Sequence, residues 1–200
     1  MQPALSIVTI FAVAIGLASS ALGAATISSP AIVEMCGSGS EIVNSTIIEH
    51  EGKEITFGTA TCPDLQAKIA AKRGSTSLSK RQVNVCTDNS CTVQCASTGA
   101  QPFIFDCQSV ANALEARYPQ EFLVPPGHYA YASAYTCAFG FFNLDVSEYN
   151  VCYSNFGFNG IIAADHCFQN YPSTTATPGA YCLSPGYQGN DWAIKIYNPN

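Results

Sequence analysis

His128-Tyr-Ala-Tyr-Ala-Ser-Ala-Tyr-Thr-Cys-Ala-Phe-Gly-Phe-Phe-Asn143 changes side at every residue. Tyr129, Tyr131, Ser133 and Tyr135 point one way, and Ala130, Ala132, Ala134 and Thr136 the other, which is the period of a β-strand. The reading is a strand with a tyrosine face, continued by Cys137 to Asn143 with a bend or bulge at Gly140. Two answers are open for the tyrosines. They form an exposed aromatic platform, or they are the half-buried side of a sheet whose small alanine face is outside.

The neighbouring segments fix the class. Upstream, Asp106 stands where it can cap a helix over Cys107–Arg117, with Cys107, Val110, Ala111 and Leu114 on one face and Pro119 as the stop. Glu121–Val124 reads as a short strand before the Pro125-Pro126-Gly127 turn. Downstream, a second helix is expected over Asn155–Asn170, weakened by Gly157 and Gly160, with Phe158, Ile161, Ile162 and Cys167 as its core side. The last strand, Asp191–Tyr197, places Trp192, Ile194 and Ile196 on one face, so Trp192 reads as core rather than as a sugar-stacking ring. The architecture expected is α+β, a small disulfide-rich antiparallel sheet with two helices packed on it.

Cysteine and charge divide the chain at Leu78-Ser79-Lys80-Arg81-Gln82. All ten tyrosines, the one tryptophan and eight of the ten cysteines follow the dibasic pair. Eight acids follow it too, against only Arg117 and Lys195, so the net charge of −6 belongs to this part. Such a surface repels phosphate backbones and anionic lipid heads, which disfavours nucleic acid and membrane surfaces.

Residues 1–24 read as a signal peptide, with the apolar run Ser6–Leu17 and the small residues Ala21, Gly23 and Ala24. Its positive n-region has no Lys or Arg, and an uncleaved anchor is the alternative. No other segment approaches the ~18 apolar residues of a membrane span, so the expected location is extracellular. Residues 25–81 read as a pro-segment cut after Lys80-Arg81, or else as an N-terminal subdomain that stays attached. It carries the glycosylation sequon at Asn44, a helix over Pro63–Arg73, and Cys36 and Cys62, which can pair. Residues 82–200 are then the disulfide-rich domain.

The spacing of Cys86, Cys91 and Cys95 resembles a metal site. In an oxidising compartment, an even cysteine count with no nearby histidine favours disulfides, which Cys107, Cys137, Cys152, Cys167 and Cys182 would complete. The pairing stays open, and neither a metal nor a cofactor is expected.

For catalysis the residues offer little. Asp145 with Glu148, and Glu115 with Glu121, read as solvated acids, and Ser154 has no nucleophile elbow around it. A small hydrolase such as a ribonuclease would draw on His128, His166, Glu148 and Arg117. No catalytic residue is assigned, and the chain is read as a binding protein rather than an enzyme. Tyrosine pairs an apolar ring with a polar tip, as saccharide rings and hydroxyls require. The candidate ligand residues are Tyr129, Tyr131 and Tyr135 as the platform, with Tyr187, Asn190 and Asp191 as its rim. The partner expected is a neutral glycan or a cell-surface glycoconjugate.

The order of Asp106-Cys107, Thr136–Asn143, Cys152, Cys167, Gly179–Cys182 and the closing Tyr197-Asn-Pro-Asn200 resembles small secreted basidiomycete proteins, among them a mushroom glycan-binding lectin. That resemblance implies an α/β sandwich, several disulfides and carbohydrate binding, and it transfers no binding residue. A second resemblance is to fungal necrosis-inducing effector and killer-toxin-like domains. It implies action on another organism's surface.

Overall fold

The run that opened the sequence reading folds as two strands rather than one. The computed structural model describes residues 30–73, 82–86, 90–96, 100–169, 179–185 and 192–200. In it, His128–Ala134 and Cys137–Asn143 pair antiparallel, with Ala134 opposite Cys137. Tyr135 and Thr136 are the turn, and Tyr135 takes a φ of +50°, the left-handed backbone that two-residue hairpins demand. Tyr135 therefore leaves the tyrosine face and stands exposed at the hairpin tip. No bulge is needed at Gly140, which stays in register opposite Tyr131 and Lys195.

In chain order the elements are α1 (Pro30–Cys36), β1 (Ile42–His50), β2 (Lys53–Thr61), α2 (Pro63–Arg73), β3 (Gln82–Asn84), β4 (Thr92–Ala96) and α3 (Ile104–Glu115). They continue as β5 (Glu121–Val124), β6 (His128–Ala134), β7 (Cys137–Asn143), β8 (Glu148–Cys152), α4 (Tyr153–Ala164), a π-helical turn (Asp165–Gln169), β9 (Gly179–Leu183) and β10 (Trp192–Tyr197). Seven strands form one antiparallel sheet in the order β1-β2-β6-β7-β10-β9-β4, and β3-β8-β5 form a smaller one.

The β1–β2 hairpin was not expected from sequence. Its turn is Glu51-Gly52, with φ of +49° and +73°, flanked by His50 paired with Lys53. β2 then pairs with β6 over Thr56–Thr61. Residues on both sides of the Lys80-Arg81 junction thus share one sheet. The junction itself, like residues 1–29, lies outside the described residues.

One side of the sheet carries Ile55 and Phe57 of β2, Ala130, Ala132 and Ala134 of β6, Phe139 and Phe141 of β7, and Ile194 and Ile196 of β10. α3 packs here through Val110, Ala111 and Leu114, and α4 through Phe156, Ala163 and Ala164. Trp192 stacks on Phe141 at 5.6 Å in this core, as its alternation implied. The other side carries Tyr129, Tyr131, Phe142 and Tyr197 and is closed by Ile32 and Cys36 of α1 and Leu65 of α2.

Two local expectations are corrected. Helix α3 begins at Ile104, so Asp106 lies in its first turn and does not cap it. Its carboxylate instead accepts from the Thr136 hydroxyl at 2.5 Å and the Thr136 amide at 3.2 Å, tying the helix to the hairpin turn. In α4 the buried side is Phe156, Gly157, Asn159, Gly160, Ala163 and Ala164, whereas Phe158 and Ile162 face outward. Close approach decides the phase. A Cβ on Gly157 would lie 2.8 Å from the Ala111 carbonyl oxygen, and one on Gly160 would meet the Phe139 ring at 2.5 Å. The glycines that looked like weak points are the contact surface of the helix.

All ten cysteines are paired, as Cys36–Cys62, Cys86–Cys152, Cys91–Cys182, Cys95–Cys167 and Cys107–Cys137. The Cys86, Cys91, Cys95 cluster is divided among three partners. Five disulfides point to an oxidising, extracellular setting. Among the described residues no helix is long and apolar enough to cross a membrane.

Candidate functional site

The tyrosine face is covered in the intact chain. Tyr129 is fully buried and stacks on Phe142 at 5.0 Å, while Tyr131 is 7% exposed. Burial pushes the Tyr129 hydroxyl far above its ordinary pKa, and neighbouring Tyr131 adds to the shift. That hydroxyl finds no hydrogen-bond partner among the described residues. Burial moves Tyr197, beside it, in the same direction. Lys195, on the same side of β10, is buried as well. Its ammonium donates to Glu34 of α1 at 2.6 Å and lies 5.2 Å from the centre of the Tyr181 ring.

The remaining platform residues do not join Tyr129 and Tyr131. Tyr135 is 65% exposed at the hairpin tip, and its carbonyl accepts from the Asn200 side chain at 3.1 Å. Tyr187, Asn190 and Asp191 lie outside the described residues, as do Lys80 and Arg81. Asn44 is exposed on edge strand β1, and its side-chain oxygen accepts from the Thr59 amide at 3.0 Å.

An open concavity lies elsewhere, between the end of α3 and the first turns of α4. It is a cleft of ≈380 Å³ lined by Glu115, Tyr118, Ser154, Asn155 and Phe158. Helix geometry builds it. Glu115 closes α3, Tyr118 follows in the turn before Pro119, and Ser154 and Phe158 are one turn apart on the outer side of α4. Beside the cleft α3 and α4 meet closely at Gly157, whose Cβ position would lie against Leu114 and Glu115. Tyr118 is 75% exposed and Phe158 42%, so two rings flank a carboxylate, a hydroxyl and an amide. Partial burial raises the pKa of Glu115. Tyr153, at the start of α4, is also raised by burial, with Arg117 opposing the shift.

The sequence had set Glu115 aside as a solvated acid and had placed Phe158 in the core. One signal was available: Gly157, Gly160, Ala163 and Ala164 form a row of small residues that suits close helix contact, which leaves Phe158 and Ile162 on the outward side.

The groups weighed for hydrolysis stand apart. His128 opens β6, with its Nδ1 3.1 Å from the Pro126 carbonyl oxygen, and His166 is exposed on the π-helical turn. Among the described residues, one group of three histidine, cysteine or acidic side chains comes within 4.8 Å: Cys86, Glu121 and Cys152. Its two sulfurs are bonded to each other, so they offer no thiolate to a metal. Glu121 is taken up by the Asn150 amide.

No protein-family model matches the chain, and neither a curated protein nor a solved structure matches it significantly.

Proposed function

We propose that this is a secreted carbohydrate-binding protein whose ligand site is the α3–α4 cleft. The observation that carries the reading is the pair of exposed rings, Tyr118 and Phe158, set beside Glu115, Ser154 and Asn155. Saccharides present C–H faces to aromatic rings and hydroxyls to carboxylate and amide groups, and a shallow cleft of this size admits one or two sugar units. The acidic composition suits a neutral glycan. The α/β sandwich implied by the lectin resemblance belongs to this reading, with α3 and α4 as its helical layer. Maturation after Arg81 belongs to it as well, since the junction falls between α2 and β3 and interrupts neither.

The test is a glycan array with the intact chain, followed by titration of the best sugar. Tyr118→Ala and Phe158→Ala are expected to weaken binding by tenfold or more while the melting temperature stays within a few degrees, because both rings are outside the core. Binding that survives both changes, or no binding to any glycan, contradicts the proposal.

An effector or toxin-like action on another organism's surface is the second reading. Phe103 and Phe105, 70% and 72% exposed at the start of α3, favour it, as aromatic side chains held in water suit a macromolecular partner. Cell binding that no sugar competes, and that Phe105→Ala abolishes, would select it.

A further inference from the structure

The disulfides divide the molecule at the same place as the dibasic pair. Cys36–Cys62 is internal to residues 30–73, and the other four pairs all lie at Cys86 and beyond. With no cysteine left over, the backbone across residues 74–81 is the sole covalent link between the two parts. Yet the contact between them is that of a protein interior. β2 gives β6 a six-residue ladder from Thr56 to Thr61. Phe57 inserts between Phe122 at 5.0 Å and Tyr153 at 4.8 Å. On the opposite side of the sheet, Ile32 and Leu65 close over Tyr129, Tyr131 and Phe142.

Polar groups cross the boundary as well. Glu34 supplies the carboxylate that faces buried Lys195, Lys53 donates to the Ser109 hydroxyl at 2.7 Å, and the Cys62 amide donates to the Gly127 carbonyl. Removing residues 30–73 would strip the partner strand from β6, uncover its Tyr129 and Tyr131 side, and take this carboxylate from a buried ammonium. Each of those consequences is costly.

We propose that cleavage after Arg81 leaves residues 30–73 seated as a second, non-covalent chain, so that the secreted form is a two-chain protein. The proposal rests on the maturation reading above. It assigns the β6 edge and the Tyr129, Tyr131, Phe142 face as an interaction surface whose partner is the chain's own N-terminal segment. The tyrosines thus stay covered after cleavage, and ligands are met at the α3–α4 cleft.

The experiment is digestion of the folded, oxidised full chain with a dibasic-specific endoprotease, followed by gel filtration under native conditions and by denaturing, non-reducing electrophoresis. The expected result is two polypeptides that co-elute at the uncut mass and separate in denaturant without reductant. Three results would overturn the proposal. The N-terminal fragment elutes alone; the cut chains stay together in denaturant until reduced; or the folded chain resists cutting under conditions that cut the unfolded chain fully.

Dilution of the cut protein then reads the residence time of the fragment. Ile32→Ala should shorten it by about 30-fold or more. Glu34→Gln changes one exposed carboxylate and leaves the core intact, and should shorten it by about tenfold. If neither variant changes the residence time, the described interface is not what holds the chains. Glycan binding is measured separately on the uncut chain, so failure of the carbohydrate reading and failure of this one are told apart.

Discussion

The two sides of strand β6 are covered by different means. The side of Ala130, Ala132 and Ala134 lies under α3, with α4 beside it over β9 and β10, and both helices belong to the same disulfide-linked part of the chain as β6 itself. The side of Tyr129 and Tyr131 lies under α1 and α2, which come from beyond the dibasic junction and share no disulfide with it. Small residues make room for a thick helical layer, and large rings fill most of their own space and need only a thin cover. The alternation in sequence marks both sides but not what lies over each.

If the N-terminal segment that supplies the thin cover is integral, damage to it must destabilise the whole molecule, and through Phe57 of β2 that segment also reaches the helical side of the sheet. Phe57→Ala removes a ring from the junction of β2, β5 and α4. It should lower stability by about 3–5 kcal/mol, seen as a single shifted denaturation transition when Trp192 fluorescence is followed. A second transition belonging to the N-terminal segment alone would break the comparison. Tyr131→Ala acts on the thinly covered side. A loss of about 3 kcal/mol is expected there, with glycan affinity unchanged, whereas an exposed platform would show lost affinity and unchanged stability.

On the thickly covered side, Gly157→Ala places a methyl against the Ala111 carbonyl and the Leu114 side chain. It should cost about 1–3 kcal/mol by pushing α3 and α4 apart, and it should weaken glycan binding through the cleft between them. Tyr129→Phe is the smallest change on the thin side. It deletes a buried hydroxyl that has no described partner and should leave stability unchanged or raise it by about 1 kcal/mol, as measured by urea denaturation.

Glu115 adds a pH test of the cleft. Burial raises its folded pKa, so the folded state binds the proton more tightly than the unfolded state. The penalty for ionising it is absent at low pH and grows as pH rises through the interval between the unfolded and folded values. Glu115→Gln should therefore gain stability over the native chain as pH rises through that interval and hold the gain above it. Denaturation curves at several pH values measure this difference directly.

How much of this was legible differs between the two sides for a physical reason. The alternation of Trp192, Ile194 and Ile196, the strand Glu121–Val124 and the helix Pro63–Arg73 were all readable because one local period decides each of them. The fate of Tyr129 and Tyr131 was not, since it depends on α1 and α2 far upstream, which flank a hairpin whose turn, Glu51-Gly52, is modest punctuation between β-branched runs. Phe158 was misassigned because hydrophobicity was weighed and close approach was not; Gly157 and Gly160 determine which side of α4 faces inward. Asp106 was read as a cap from its position, but Thr136, thirty residues away, holds its carboxylate.

The most direct test of the account is amide hydrogen exchange on the intact, oxidised chain. β2 and β7 sit on opposite flanks of β6, one before and one after the junction. In a single cooperative unit, the ladder amides of Phe57–Thr61 and of Phe139–Phe142 should exchange with the same opening free energy, that of global unfolding. If the β2 amides exchange orders of magnitude faster while β7 stays protected, the N-terminal segment is a loosely docked cover, and the claim that one fold spans the junction is wrong.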